Sequence, residues 1–91
     1  MTREEIFKKI LKKKGIDSQV WGTIEEMSEL TQALSKWRRF GIERARESIE
    51  EEMADVELMF EHMKMFFDIK PQTLTAYKAI KLQRVIEELN L

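Results

Sequence analysis

The chain contains no cysteine, a single histidine, a single proline and no long apolar run. Without cysteine it cannot form disulfides, thiolate nucleophiles or cysteine-ligated zinc sites. One histidine, His62, excludes a metal site built from several histidines, and we expect it at the surface or at an interface. The lack of a long apolar run excludes a membrane-spanning segment and a secretory signal core. We therefore expect a cytoplasmic protein with no membrane partner.

The charges are nearly balanced, with 16 basic and 17 acidic side chains. This balance argues against a protein that works by coating nucleic acid. The 91 residues fit one small domain, which we place over residues 1–91. Because a chain this short buries only about 60–65% of its unfolded surface, association with a second copy is expected.

Glycine and proline are sparse, while Glu, Lys, Leu and Met are abundant, which predicts an all-α fold. Gly15 and Gly41 end the first and second helices, Asp17 or Ser18 caps the second, and Pro71 starts the fourth. We predict four helices, in chain order, over about 2–14, 17–39, 43–67 and 71–89.

The third helix carries a glutamate within an otherwise apolar seam. The seam consists of Ala45, Ile49, Glu52, Val56, Met59, Met63 and Phe66. Asp55 lies about 60° further round the helix, beside the seam. A carboxylate in such a place must be neutral, ion-paired or metal-bound, because burying a bare charge is costly. Two interpretations stay open: a buried salt bridge, to Lys81 or Arg84, or a metal site.

The second helix carries a matching acidic pair, Glu26 and Glu29, to one side of its main apolar stripe. The stripe consists of Val20, Ile24, Met27, Thr31 and Leu34. Residues three apart share one helix face, so two packed helices can aim four carboxylates into one pocket. Oxygen ligands without histidine or thiol favour Mg²⁺ or Mn²⁺. A di-iron carboxylate site needs Glu-x-x-His, which is absent because Met59 stands three residues before His62.

The third helix also carries apolar side chains on the side away from its seam. Ala54, Leu58 and Met65 recur there. One helix cannot bury two opposed apolar faces within a thin four-helix protomer. We therefore predict a homodimer or a larger assembly through this second face.

The two acidic motifs together are similar to a known pattern. Residues 25–30, EEMSEL, and residues 51–56, EEMADV, resemble the EExxE and ExxD motifs of the MazG-like nucleotide pyrophosphohydrolases. These are members of the all-α NTP pyrophosphatase superfamily, and the likeness covers residues 19–68, chiefly to small single-domain bacterial and phage members. The resemblance implies Mg²⁺-dependent hydrolysis of a (deoxy)nucleoside triphosphate to the monophosphate and pyrophosphate, by a homodimer or homotetramer that cleans the nucleotide pool. It implies a supporting role for Glu25 and a catalytic metal site made of Glu26, Glu29, Glu52 and Asp55.

Binding a triphosphate also requires basic side chains, because the chain lacks the G-x-x-x-x-G-K-[ST] loop that cradles phosphates. We expect Lys36, Lys81 and Arg84 to contact phosphate, and Trp37 to stack on a base. Two alternatives stay open. One is a non-catalytic helical interaction module whose acids pair with Lys and Arg, and the other is the same site acting on a phosphoribosyl-nucleotide.

Overall fold

A computed structural model describes every residue from Met1 to Leu91 and contains four α-helices and no strand. The helices are α1 (Arg3–Lys14), α2 (Ile16–Phe40), α3 (Ile42–Phe66) and α4 (Pro71–Leu89). The prediction of an all-α fold with four helices is confirmed, and each bound lies within one residue of its expected place. No helix has both the length and the apolar character that a membrane span requires.

Single glycines join the first three helices. Gly15 and Gly41 have φ values of +83° and +92°, which residues with a side chain rarely adopt. Their N–H groups donate 2.8 Å hydrogen bonds to the carbonyl oxygens of Leu11 and Trp37, which closes the preceding helix. The predicted cap of α2 is wrong: the helix begins directly after Gly15, so Asp17 lies inside its first turn. There the carboxylate is favourably placed near the positive end of the helix dipole.

α2 and α3 form an antiparallel hairpin that makes up most of the packed structure. The seam of α3 faces α2, with Ala45 and Val56 buried. The face of α2 that meets this seam is polar or small, since Thr23 and Ala33 are each only 3% exposed. The apolar stripe predicted as the main face of α2 is instead largely exposed, at 47% for Ile24 and also for Leu34. Small side chains let the two helices approach closely, so the acid-bearing face of α2 packs against α3.

α1 docks on the C-terminal half of α3 through an aromatic stack. The Phe7 ring lies parallel to the His62 ring, with 4.6 Å between their centroids, and Phe66 meets His62 edge-on. Arg3 and Glu61 form an exposed ion pair at 3.3 Å, which adds little stability. The expectation of a surface or interface histidine is wrong, because α1 covers His62 and leaves it 1% exposed. Burial lowers the pKa of His62, and the backbone of Phe7 acts in the opposite direction.

α4 projects from the hairpin with almost no packing against the other helices. Every residue of α4 except Leu74 is exposed, including Tyr77, Leu82 and Leu89 at 60% or more. The accessible surface is 7798 Å², roughly 2,200 Å² more than the ~5,600 Å² typical of a folded monomer of this mass. The radius of gyration, 16.4 Å, is also larger than the value of about 12 Å expected for a compact domain of this length. Much of the apolar surface of α4 thus has no partner within one protomer.

Candidate metal centre

Four carboxylates from two helices converge near the middle of the hairpin. One oxygen from each side chain lies within 4.8 Å of the others, and the set comprises Glu26, Glu29, Glu52 and Asp55. The single-residue corner at Gly41 explains this meeting. Glu29 lies 12 residues before Gly41 and Glu52 lies 11 residues after it, so both stand at nearly the same height in the hairpin. The i, i+3 spacing then places the second acid of each helix one turn further along the same face.

The electrostatics of this carboxylate cluster are repulsive in the absence of a cation. Desolvation by burial raises the pKa of Glu26, and the nearby charges of Glu29 and Asp55 raise it further. Desolvation, followed by Glu29, also raises the pKa of Glu52. The Oε2 atoms of Glu26 and Glu52 are buried and have no hydrogen-bond partner. These buried acceptors have nothing to satisfy them within the protein, which is the condition that a bound cation relieves.

The donor set suits a hard divalent cation. All four donors are carboxylate oxygens, and such ligands are preferred by Mg²⁺, Mn²⁺ and Ca²⁺, whereas softer metals favour nitrogen or sulfur. The alternative of a buried salt bridge is not realised in the protomer, because none of its ion pairs involves Glu52. The cluster can therefore hold a metal ion, as the sequence predicted.

The basic and aromatic residues expected to contact substrate lie on two different helices. Lys36 and Trp37 are exposed near the C-terminal end of α2, about two turns beyond the carboxylate cluster. Lys81 and Arg84 are exposed on α4, the helix that barely contacts the hairpin. Within one protomer Lys36, Lys81 and Arg84 thus do not form a single basic surface. Their role in binding phosphate and the stacking role of Trp37 remain predictions.

A cavity of about 370 Å³ opens beside Glu26, one side of it formed by the N-terminal half of α2. Lys14 from α1 and Met59 from α3 contribute to its walls, and Glu25 lines it next to Glu26. Gln19, which is 8% exposed and lines this cavity, was not among the predicted site residues. The spacing in the sequence indicates its position, because Gln19 stands seven residues before Glu26 and so shares the same face of α2.

No protein-family model, curated protein or solved structure matches the chain. Function must therefore be inferred from the chemistry of the site. The strongest feature is the carboxylate cluster, whose members come from two helices and whose buried oxygens lack partners. The cavity that adjoins it at Glu26 is the second feature.

Proposed function

We propose that the protein is a Mg²⁺-dependent, MazG-like nucleotide pyrophosphohydrolase. It would hydrolyse a (deoxy)nucleoside triphosphate to the monophosphate and pyrophosphate, with Mn²⁺ as a possible substitute metal. The observation that carries this proposal is the convergence of four carboxylates, two of them with buried and unpartnered oxygens. The likeness of residues 25–30 and 51–56 to the EExxE and ExxD motifs supports the same assignment.

The chemistry of the reaction fits this donor set. The carboxylate cluster would hold a divalent cation, which would supply positive charge for phosphate oxygens and lower the pKa of a nearby water toward neutrality. The residues that would hold it are Glu26, Glu29, Glu52 and Asp55. A carboxylate oxygen of the cluster would accept the proton of the attacking water as the water oxygen bonds to phosphorus. One P–O bond of the oxygen bridge between the α- and β-phosphorus atoms would break, so one water yields monophosphate and pyrophosphate.

A non-catalytic interaction module accounts less well for the cluster. In that case the acids would be neutralised by Lys or Arg, as happens between Arg46 and Glu50 elsewhere on α3. No carboxylate of the cluster forms such a pair in the protomer. The charges that act on Glu26 and Glu52 all raise their pKa, which means that like charges surround them. A purely structural role leaves this repulsion without compensation.

The deciding experiment is a panel of all ribo- and deoxyribonucleoside triphosphates and a phosphoribosyl-nucleotide, each incubated with the protein and Mg²⁺. Products are separated by chromatography, and pyrophosphate is detected independently. We expect monophosphate and pyrophosphate from at least one compound, and Asp55→Asn should slow the reaction at least about 100-fold because a metal ligand is lost. Glu57→Gln, an exposed change on the same helix, is the matched control. The Lys81→Ala variant should hydrolyse the nucleotide more slowly than the parent, but at a measurable rate.

Two results would contradict the proposal. Release of orthophosphate and a nucleoside diphosphate would show that a different bond is broken. Equal activity of Asp55→Asn and Glu57→Gln would show that the carboxylate cluster does not carry the reaction. Cleavage of only the phosphoribosyl-nucleotide would keep the site and change the substrate class.

A further inference from the structure

The cavity beside Glu26 is lined by a side-chain amide that the protein leaves free. Gln19 is only 8% exposed, and its side-chain amide forms no hydrogen bond with any protein group. Only its backbone is engaged, since its carbonyl accepts a 2.9 Å hydrogen bond from the Thr23 hydroxyl. Because this amide lines the cavity and has no protein partner, it is available to form hydrogen bonds with a ligand. The group presents a donor and an acceptor in one plane.

The same cavity has an aromatic wall and a positive charge. Trp21 lines it and is 66% exposed, which is high for the largest apolar side chain. An accessible indole is a flat platform on which a planar ring can stack. Lys14, from the last turn of α1, adds an ammonium group on the opposite helix. The cavity therefore combines stacking with in-plane hydrogen bonding, which are the two interactions that a nucleobase offers.

The distance to the carboxylate cluster suits a nucleotide. Gln19 precedes Glu26 by seven residues on one face of α2, a rise of roughly 10 Å along the helix. A ribose and its 5′-phosphate bridge a separation of this order between a base and the phosphate chain. Glu26 belongs to both the cavity and the cluster, so a single ligand can occupy the two without a break.

Resting on the function proposed above, we propose that this cavity is the nucleobase pocket of the enzyme. The base stacks on Trp21 and pairs along one edge with the Gln19 amide, while the phosphates extend to the carboxylate cluster. The substrate class is therefore a base-bearing nucleotide and not an inorganic polyphosphate or a simple phosphate ester.

The test uses the two tryptophans as separate reporters. Trp37→Phe leaves Trp21 as the sole tryptophan, and Trp21→Phe leaves Trp37. Each protein is titrated, in Mg²⁺, with non-hydrolysable α,β-imido triphosphates of the four bases and with inorganic tripolyphosphate as the base-free probe. We expect at least one nucleotide analogue to quench Trp21 fluorescence, and tripolyphosphate to leave that fluorescence unchanged.

The amide is tested in the Trp37→Phe protein. Gln19→Leu should weaken the binding of the quenching analogue about 5- to 150-fold, the usual effect of losing a paired amide edge. The variant should stay folded, because leucine replaces an amide that has no protein partner. Gln32→Leu makes the same change at an exposed site of α2 and should bind as the parent does.

The possible results distinguish failure of the proposed nucleobase pocket from failure of the proposed reaction. Quenching of Trp37 only, an equal response to tripolyphosphate, or unchanged binding by Gln19→Leu would overturn the pocket even if hydrolysis is observed. Quenching of Trp21 that depends on Gln19 would support the pocket even if no analogue's parent nucleotide is hydrolysed. In that case the proposed reaction fails and the binding site stands.

Discussion

Mg²⁺ added to the metal-free protein should raise its melting temperature, because only the folded hairpin brings the four carboxylates together. At an ion concentration 100 times the dissociation constant, binding adds about 2.7 kcal/mol to the free energy of unfolding. A chain of 91 residues has an unfolding entropy of about 0.19 kcal/mol/K near its melting temperature. The expected rise is therefore about 14 °C, falling to about 7 °C at ten times the dissociation constant.

Glu52→Gln should remove most of this response. The substitution replaces a carboxylate of the cluster, one oxygen of which is buried, by an uncharged amide, and the loss of one negative charge weakens the binding of a hard cation. Without metal the variant should be at least as stable as the parent, since repulsion among the remaining carboxylates falls. Glu57→Gln changes the overall charge identically at an exposed position and should retain the full rise.

The assay is thermal unfolding followed by circular dichroism at one fixed protein concentration. Mg²⁺ and Mn²⁺ are compared with NaCl at matched ionic strength, because simple screening of the carboxylates would stabilise the fold with any salt. An equal effect of NaCl, or an equal Mg²⁺ response in Glu52→Gln and the parent, would refute a specific metal site at this cluster.

Two further predictions concern assembly and pH. Leu58→Lys should weaken a homodimer or homotetramer, because Leu58 is 42% exposed on the second apolar face of α3 and the protomer has excess surface to cover. Light scattering that gives 10.9 kDa for the parent at tens of micromolar would refute the predicted assembly. Since burial lowers the folded pKa of His62 below its unfolded value of about 6.5, its contribution to stability is complete above that pH. It is lost as pH falls toward the folded pKa. The difference in unfolding free energy between the parent and His62→Phe, measured by denaturant titration across this range, should change with pH; a constant difference would contradict the prediction. This comparison cancels the opposite effect of Glu26 and Glu52, whose raised pKa values favour the metal-free fold as pH falls.

Local signals in the sequence were sufficient to locate the helices and the acids. Gly15, Gly41 and Pro71 stand where helices end or begin, and each acts through its own backbone chemistry. The sharing of one helix face by the two acids of each pair also followed from spacing, because the i, i+3 rule depends only on helix geometry. These features need no knowledge of which helix touches which.

The other features could not be predicted from the sequence, because they depend on tertiary contacts. The apolar side chains of α2 predicted the wrong packing face. The face that packs against α3 carries Thr23 and Ala33, because their small size allows the helices to approach closely. His62 is buried by Phe7 of α1, a contact between residues 55 positions apart that no periodicity reveals. Gln19 escaped notice because an isolated glutamine on a charged helix resembles a solvated residue until its burial is known.

The corner at Gly41 also constrains how this chain can change in length. One residue inserted between Glu29 and Gly41 would rotate that acidic pair by about 100° relative to α3 and take its carboxylates away from Glu52. Seven inserted residues restore the rotation to within about 20°, but they also lengthen one arm of the hairpin by about two turns. An equal insertion between Gly41 and Glu52 is then needed to bring the acids level again. Insertions and deletions within the hairpin should therefore be tolerated only as matched pairs of about seven residues, whereas both ends of the chain are free of this restriction.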